Sequence, residues 1–418
     1  MAIALQRSMT TSARQTASSA PLQSKPRPVP TRRLSDLPTY VFAWLDELKA
    51  GARARGIELL DLGMGNPDQP TPAPIVDAIV AAYRNSATHG YPPFRGTPRF
   101  RQAAANFMRV RFGVDIDPDT EVLCLSGAKE GIAHLSMAFS DEATTTLVPD
   151  IHYPVHARAT GLAGGTVRLI PLPAERGFLP DLSAIPRDAL RSAKILVLNY
   201  PHNPTGTVAP IALFDEAVAL CRANGVILLS DLAYSELTFD GVRAPSALEI
   251  PRAKDVTVEF HSFSKSFNMA GSRIGFAVGG AHLIDALHAV RTNMGYGTPA
   301  AIQEGAAYAL DHARELVEPI RAGYETRRNA LVGGFRSLGW TIDQPPRATM
   351  FVWLPVPGGF TSQAWTEHLI DQAGIVVTPG NAFGPGGEGF FRVSLIAEPP
   401  VLATATDKLR QAGIRYNG

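Results

Sequence analysis

Between about Thr120 and Val278 the chain alternates short apolar runs with longer stretches of helical spacing. The runs Glu121–Leu125, Thr144–Val148, Val167–Pro171, Lys194–Asn199, Val226–Ser230, Val256–Phe260 and Arg273–Val278 predict strands. Helical spacing over Ala128–Phe139 and Leu213–Ala223 falls between them. Near-continuous apolar strands separated by helices predict an α/β fold with a mostly parallel sheet covered on both faces. Upstream, Tyr40–Ala54 has helical spacing, and residues 61–74 form a Gly/Pro-rich loop. Beyond about residue 310 the pattern changes. A long charged helical stretch, His312–Leu338, precedes a strand at Thr349–Leu354, a helix near Trp365–Ala373 and a last strand at Gly389–Leu395. That is the pattern of a smaller α+β domain. The expected organisation is a disordered basic tail over 1–33, an arm over 34–75 that joins the small domain, a large domain over 76–310, and a small domain over 311–418.

A chain of 418 residues is long enough for two such domains, and 45% hydrophobic content is ordinary for a soluble protein. The net charge of +1 hides an asymmetry. Residues 1–33 hold six of the 39 Lys and Arg and none of the 38 Asp and Glu, which leaves the body with 33 basic and 38 acidic residues. An acidic body argues against a nucleic-acid surface. No apolar run approaches the roughly 18 residues of a membrane helix. Cys124 and Cys221 sit in apolar surroundings, give neither a disulfide framework nor a metal set, and point to a reducing, cytoplasmic setting. The acid-free tail fits an organelle transit segment, a dispensable extension or a mis-assigned start equally well.

The chemistry gathers at predicted strand ends, where open α/β sheets collect ligands. Ser262-Phe263-Ser264-Lys265 follows one apolar strand, with Arg273 eight positions beyond the lysine. An amine among small hydroxyl residues and a cation is what an imine with pyridoxal phosphate requires, although a lone lysine in a polar loop is usually just solvated. Ser126-Gly127-Ala128-Lys129 lies between a strand and a helix, where backbone amides could approach a phosphate. Asn203, in the rigid turn Pro201-His202-Asn203-Pro204-Thr205-Gly206, could donate to a phenolic oxygen or simply cap its turn. Asp231 ends an apolar strand, and pairing with a protonated pyridine nitrogen would offset its burial. Tyr234 could reach the same phenolic oxygen, and Tyr153 could stack on the ring.

In this order and spacing, Asn203-Pro204-Thr205-Gly206, Asp231 with Tyr234, Ser264-Lys265 with Arg273, and Phe391-Arg392-Val393 resemble the class I aminotransferases of fold type I. The resemblance runs from about residue 35 to the C-terminus. It is nearest the branch of alanine and LL-diaminopimelate aminotransferases, through Leu62-Gly63-Met64-Gly65-Asn66-Pro67-Asp68, Tyr91 with Gly96-Thr97-Pro98, and Asn268-Met269-Ala270-Gly271. It implies pyridoxal 5'-phosphate as cofactor, with Lys265 as Schiff-base lysine and Asp231 at the pyridine nitrogen. It places Asn203 and Tyr234 at the phenolic oxygen and Tyr153 against the ring. Phosphate contacts would come from Gly127, Ala128, Lys129, Ser262, Arg273 and Tyr91 of a neighbouring subunit. Arg392 would take the substrate α-carboxylate, with Gly65 and Asn203 beside it, and no metal is implied.

The implied activity moves an amino group between an L-amino acid and a 2-oxo acid by way of pyridoxamine phosphate, in a homodimer with shared sites. An alanine and glutamate pairing is expected, with a specialised biosynthetic or LL-diaminopimelate-type enzyme as the alternative. Lyases that eliminate at Cβ or Cγ share the fold. So do cofactor-sensing regulators, but 33 residues cannot supply their DNA-binding domain. Arg95 and Arg347 are candidates for a second anion site. Three departures from the branch, Ser272, Ile151-His152 and Gly90, bear on the approach to the pocket.

Overall fold

The computed structural model describes residues 29–37 and 41–416. The chain divides into two units, residues 1–36 and 37–418. In the first, the described residues form one short helix, Arg32–Ser35, so Arg32 and Arg33 are helical although the sequence reads them as tail. Residues 1–28 of that tail lie outside the described residues.

The second unit carries twelve strands among its described residues: β1 (Leu60–Asp61), β2 (Val122–Leu125), β3 (Thr145–Pro149), β4 (Thr166–Ile170), β5 (Ala193–Asn199), β6 (Ile227–Asp231), β7 (Thr257–Ser262), β8 (Gly275–Gly279), β9 (Phe351–Pro355), β10 (Ile375–Val376), β11 (Thr378–Pro379) and β12 (Phe390–Ser394). Seven form the main sheet, in the order β2-β8-β7-β6-β5-β3-β4. Pairings are parallel except at β8, which runs against both β7 and β2. The expected α/β architecture is therefore present, with one reversed strand.

The apolar runs form strands because both faces of this sheet are covered. Side chains alternate across a strand. Val122 and Cys124 of β2 join one core with Phe100, Met108 and Phe214, while Leu123 and Leu125 join the opposite core with Ile132, Leu135 and Leu287. The helices Pro98–Phe112, Ile211–Asn224 and Ala300–Asp311 contribute to the first core, and Ala128–Phe139 and Ala281–Met294 to the second. The strand expected to open at Arg273 opens at Gly275 instead. Arg273 has φ 50°, a left-handed conformation that a pleated strand cannot use.

A second group of elements has its own core. β11, β12 and β9 form an antiparallel sheet. It packs with the helices Ala313–Ser337 and Pro399–Gln411 through Leu331, Phe335, Trp340, Phe391, Leu402 and Leu409. β1 pairs with β10 in a two-residue parallel ladder. Neither of these short strands is visible as a sequence run, because each depends on a partner over 300 residues away.

Candidate active site

The strands β2, β3, β5, β6 and β7 point the same way, so their carboxyl ends meet at one edge of the sheet. A cavity of about 490 Å³ opens there, walled by Lys265, Asp231, Tyr234, Tyr153, Asn203 and Arg392 among others.

Register sets the floor. β5 and β6 pair Asn199 with Asp231, and the Asn199 amide donates to the Asp231 carbonyl at 2.8 Å. The Asp231 carboxylate is buried and lies 3.0 Å from His156 Nε2. His156 Nδ1 is buried without a hydrogen-bond partner among the described residues, which places the ring proton on Nε2, donating to Asp231. His156 sits in the first turn of the helix Val155–Ala163, three residues after Tyr153. Sequence reasoning passed over it, although that spacing was available as a signal.

Lys265 lies in the short helix Phe263–Ser266, directly after β7. The Ser262 hydroxyl caps that helix by accepting the Ser264 N–H at 3.3 Å. The lysine amine donates to the Gly65 carbonyl at 2.6 Å. Burial pushes its pKa down to about 8, and the charges of Arg392 and Arg273 act in the same direction. A neutral, nucleophilic amine is therefore accessible near neutral pH.

Beside the lysine, the helix Ala128–Phe139 points its N-terminus at the cavity with no side-chain cap. Gly127 precedes it at φ 92°, and a Cβ there would lie 2.6 Å from Arg273 Nη2. Glycine thus supplies both the backbone angle and the room for the guanidinium. Uncapped amides, the helix dipole and Arg273 together favour an anion. Ala128 and Ser262 line the same wall. Lys129 Nζ lies 5.8 Å from the centre of the Tyr153 ring, its pKa lowered by burial and then by Arg158 and Arg273.

Across the cavity β12 delivers Arg392. Its guanidinium lies 3.9 Å from the Phe351 ring centre and 4.7 Å from that of Phe383, a cation between two aromatic faces. It donates to Asn203 Oδ1 at 3.1 Å and to the Gly63 carbonyl at 2.8 Å. Asn203 is held by its own N–H on Asn199 Oδ1 at 3.2 Å. Tyr234 is buried with its ring 5.9 Å from Phe351, and burial raises the phenol pKa. Gly65 has no space for a side chain, since a Cβ would lie 2.6 Å from Phe351. Neither aromatic neighbour of Arg392 carried a local sequence signal.

Some candidates lie elsewhere. Tyr91 is 80% exposed, stacks on Tyr296 at 4.0 Å, and does not line the cavity of its own chain. Arg95 is bonded to Asp285 and Arg347 is exposed, and neither lines the cavity of its own chain. Of the three departures, His152 is buried with its N–H on the Phe383 carbonyl at 2.6 Å. Ser272 is half-buried in a turn, and Gly90 has open space where a side chain would go.

The family model for aminotransferase class I and II matches residues 57–406. The chain belongs to this family. This aminotransferase is 46% identical over 388 residues to LL-diaminopimelate aminotransferase 2 of Nostoc sp. (strain PCC 7120), covering 92% of this chain and 99% of that one. It is 45% identical over 380 residues to the LL-diaminopimelate aminotransferase of Moorella thermoacetica, covering 91% and 97%. The solved structure of apo BacF from Bacillus subtilis superposes with a TM-score of 0.90 at 33% identity, covering 94% of this chain and 100% of that one. The expected family is thereby confirmed, and the protein is a transaminase that uses pyridoxal phosphate. The residues present fit that cofactor. They offer a buried amine of lowered pKa, a buried carboxylate backed by an imidazole, and an uncapped helix N-terminus beside an arginine. The relatives favour the diaminopimelate alternative over the alanine and glutamate pairing.

Proposed function

We propose that this aminotransferase takes LL-diaminopimelate, or a diamino-dicarboxylic acid of the same shape, as one amino substrate and a 2-oxo acid as its counterpart. The observation that carries the reading is 46% identity across nearly the full length of a relative bearing that name. The cavity is chemically compatible with it, because Lys129 lines it as a cation in addition to Arg392 and Arg273. In steady-state assays with 2-oxoglutarate, LL-diaminopimelate should give a kcat/KM at least about tenfold above that of L-alanine, roughly 1.4 kcal/mol in transition-state binding. A higher value for alanine would reject the proposal.

In this reading the chain's residues divide the work. Bound pyridoxal phosphate supplies the electron sink for charge leaving the substrate Cα. Arg392 binds the α-carboxylate through its planar fork, with Gly65 and Asn203 bordering it. Lys265 Nζ takes the proton from Cα and returns it as general acid. Asp231, backed by His156, would meet the pyridine nitrogen, while Asn203 and Tyr234 would address the phenolic oxygen. Tyr153 would stack on the ring. The backbone of Gly127, Ala128 and Lys129 would hold the phosphate with Ser262 and Arg273.

The same reading makes the enzyme a homodimer in which Tyr91 serves the partner's phosphate site. Supporting this, Tyr91 and Tyr296 stack on the surface, and the helix Ala73–Arg84 exposes Val76, Val80 and Tyr83 along one stripe. Sedimentation should show a dimer at micromolar concentration; an active monomer would remove Tyr91 from the site. The separate cores of the two sheets support a large domain over 76–310 and a small domain built from the arm and residues 311–418. Two buried free thiols support a cytoplasmic location, which cell fractionation tests.

A further inference from the structure

Behind Arg392 lies a set of charges, Lys49 with Asp46 and Asp61, that does not line the cavity. Lys49, in the helix Val41–Ala54, is 8% exposed. Its ammonium reaches Asp46 at 2.6 Å and Asp61 at 3.1 Å. Asp46 is mostly exposed, so the contact that leads inward is the one to Asp61. The second carboxylate oxygen of Asp61 accepts the Gly63 N–H at 3.0 Å. The Gly63 carbonyl in turn accepts Arg392 at 2.8 Å and the Thr378 hydroxyl at 2.6 Å. Three hydrogen bonds thus run from a buried ammonium to the guanidinium.

The surroundings leave this path little slack. A Cβ on Gly63 would lie 3.2 Å from Leu45 and 3.3 Å from both Val376 and Asp61 Oδ1. Leu45, one turn before Lys49, therefore packs on the segment that Lys49 holds by charge. The two-residue pairing of Leu60–Asp61 with Ile375–Val376 is continued by the Leu62 N–H on the Val376 carbonyl at 2.9 Å and the Ser394 N–H on the Leu62 carbonyl at 2.8 Å. The Ser394 hydroxyl also reaches the Gly63 carbonyl at 3.3 Å, while the Gly63 N–H is held by Asp61. A buried lysine is costly unless paired, and this one pairs with the carboxylate that orients the Gly63 peptide. A bidentate arginine–carboxylate contact needs both guanidinium nitrogens held in the plane of the carboxylate, and the Gly63 carbonyl fixes one of them.

We propose that Lys49, acting through Asp61 and the Gly63 carbonyl, is a positioning residue for Arg392 and so sets affinity for every α-carboxylate the enzyme binds. The inference rests on the reading of Arg392 as the α-carboxylate site. It is tested with holoenzyme of Lys49→Gln and Asp61→Asn. KM for the amino acid and for the oxo acid should rise about tenfold in both variants, with kcat within about twofold. The cofactor absorption should be unchanged. The slow single-turnover reaction with a primary amine that lacks a carboxylate should also be unchanged, and Lys49→Arg should restore KM to within about threefold. Asp61→Asn keeps the size of the side chain and an acceptor for Gly63, so it decides the matter alone if Lys49→Gln does not fold. An unmoved KM, or an equal loss with the carboxylate-free amine, overturns the proposal. Arg392→Lys measured in parallel separates the two ideas. If KM is unmoved there, the reading of Arg392 falls; if it rises there but not in the other variants, only the role of Lys49 falls.

Discussion

Lys265→Ala is expected to slow transamination by about 10⁴-fold, the upper end of what one acid–base group contributes. The cofactor should stay bound without a covalent link, since Asp231, Tyr153 and the Gly127–Arg273 cradle are untouched. Absorption of the lysine-linked form should vanish while phosphate analysis still finds one cofactor per chain. Turnover within tenfold of the parent would refute Lys265 as the proton carrier. The variant also has a signature without cofactor. In the cofactor-free parent the amine pKa is depressed from 10.5 to about 8, chiefly by burial. The unfolded chain then binds the proton more tightly than the folded one, so stability rises with pH between about 8 and 10.5. Below about 8 the folded protein carries the full penalty, about 3 kcal/mol for a shift of this size. Chemical unfolding of the Ala variant should lack this rise. Cofactor loading of the parent should likewise accelerate as pH rises toward 8, where half the amine becomes neutral, rather than toward 10.5.

Arg392→Ala comes second in expected effect. Removing one partner of a buried charge pair costs about 3–5 kcal/mol, roughly 10²- to 10⁴-fold in kcat/KM. The loss should fall on amino acid and oxo acid alike, because both present a carboxylate next to the reacting carbon. It should appear mainly in KM, with the cofactor absorption unaltered. Arg392→Lys keeps the charge between Phe351 and Phe383 but not the two-pronged geometry, and should recover only part of the loss. Unchanged kinetics in the Ala variant would show that the substrate lies the other way round in the cavity.

Much of the candidate site was legible in the sequence because its members sit at strand ends. A buried strand announces itself as an apolar run, and the chain must turn once it leaves the sheet. Asn203, Asp231 and Lys265 could therefore be found by looking at and just past the ends of β5, β6 and β7. Gly127 was readable for the same reason, as the turn between β2 and its helix. Arg392 became legible only through the family's spacing, since an arginine within an apolar strand shows no purpose by itself. The substrate expectation put alanine ahead of the diaminopimelate alternative that the relatives favour, because the α-carboxylate site is common to all such enzymes and nothing local to Arg392 reports on the far end of a substrate.

Sequence alone determined the alternation of strands and helices, the double-sided burial of the sheet and the identity of the residues at its edge. Those properties depend on neighbours within a few positions: side-chain alternation, helical spacing, turn chemistry. Tertiary structure decided which distant groups meet. It brought His156 to Asp231 across 75 positions, Asn203 to Arg392 across 189 and the Gly63 carbonyl to Arg392 across 329. It also reversed β8, paired β1 with β10, and closed Phe351 and Phe383 around the guanidinium. Hydrogen bonds and ring contacts act over a few ångströms of space whatever the separation along the chain, so only the folded arrangement could reveal them.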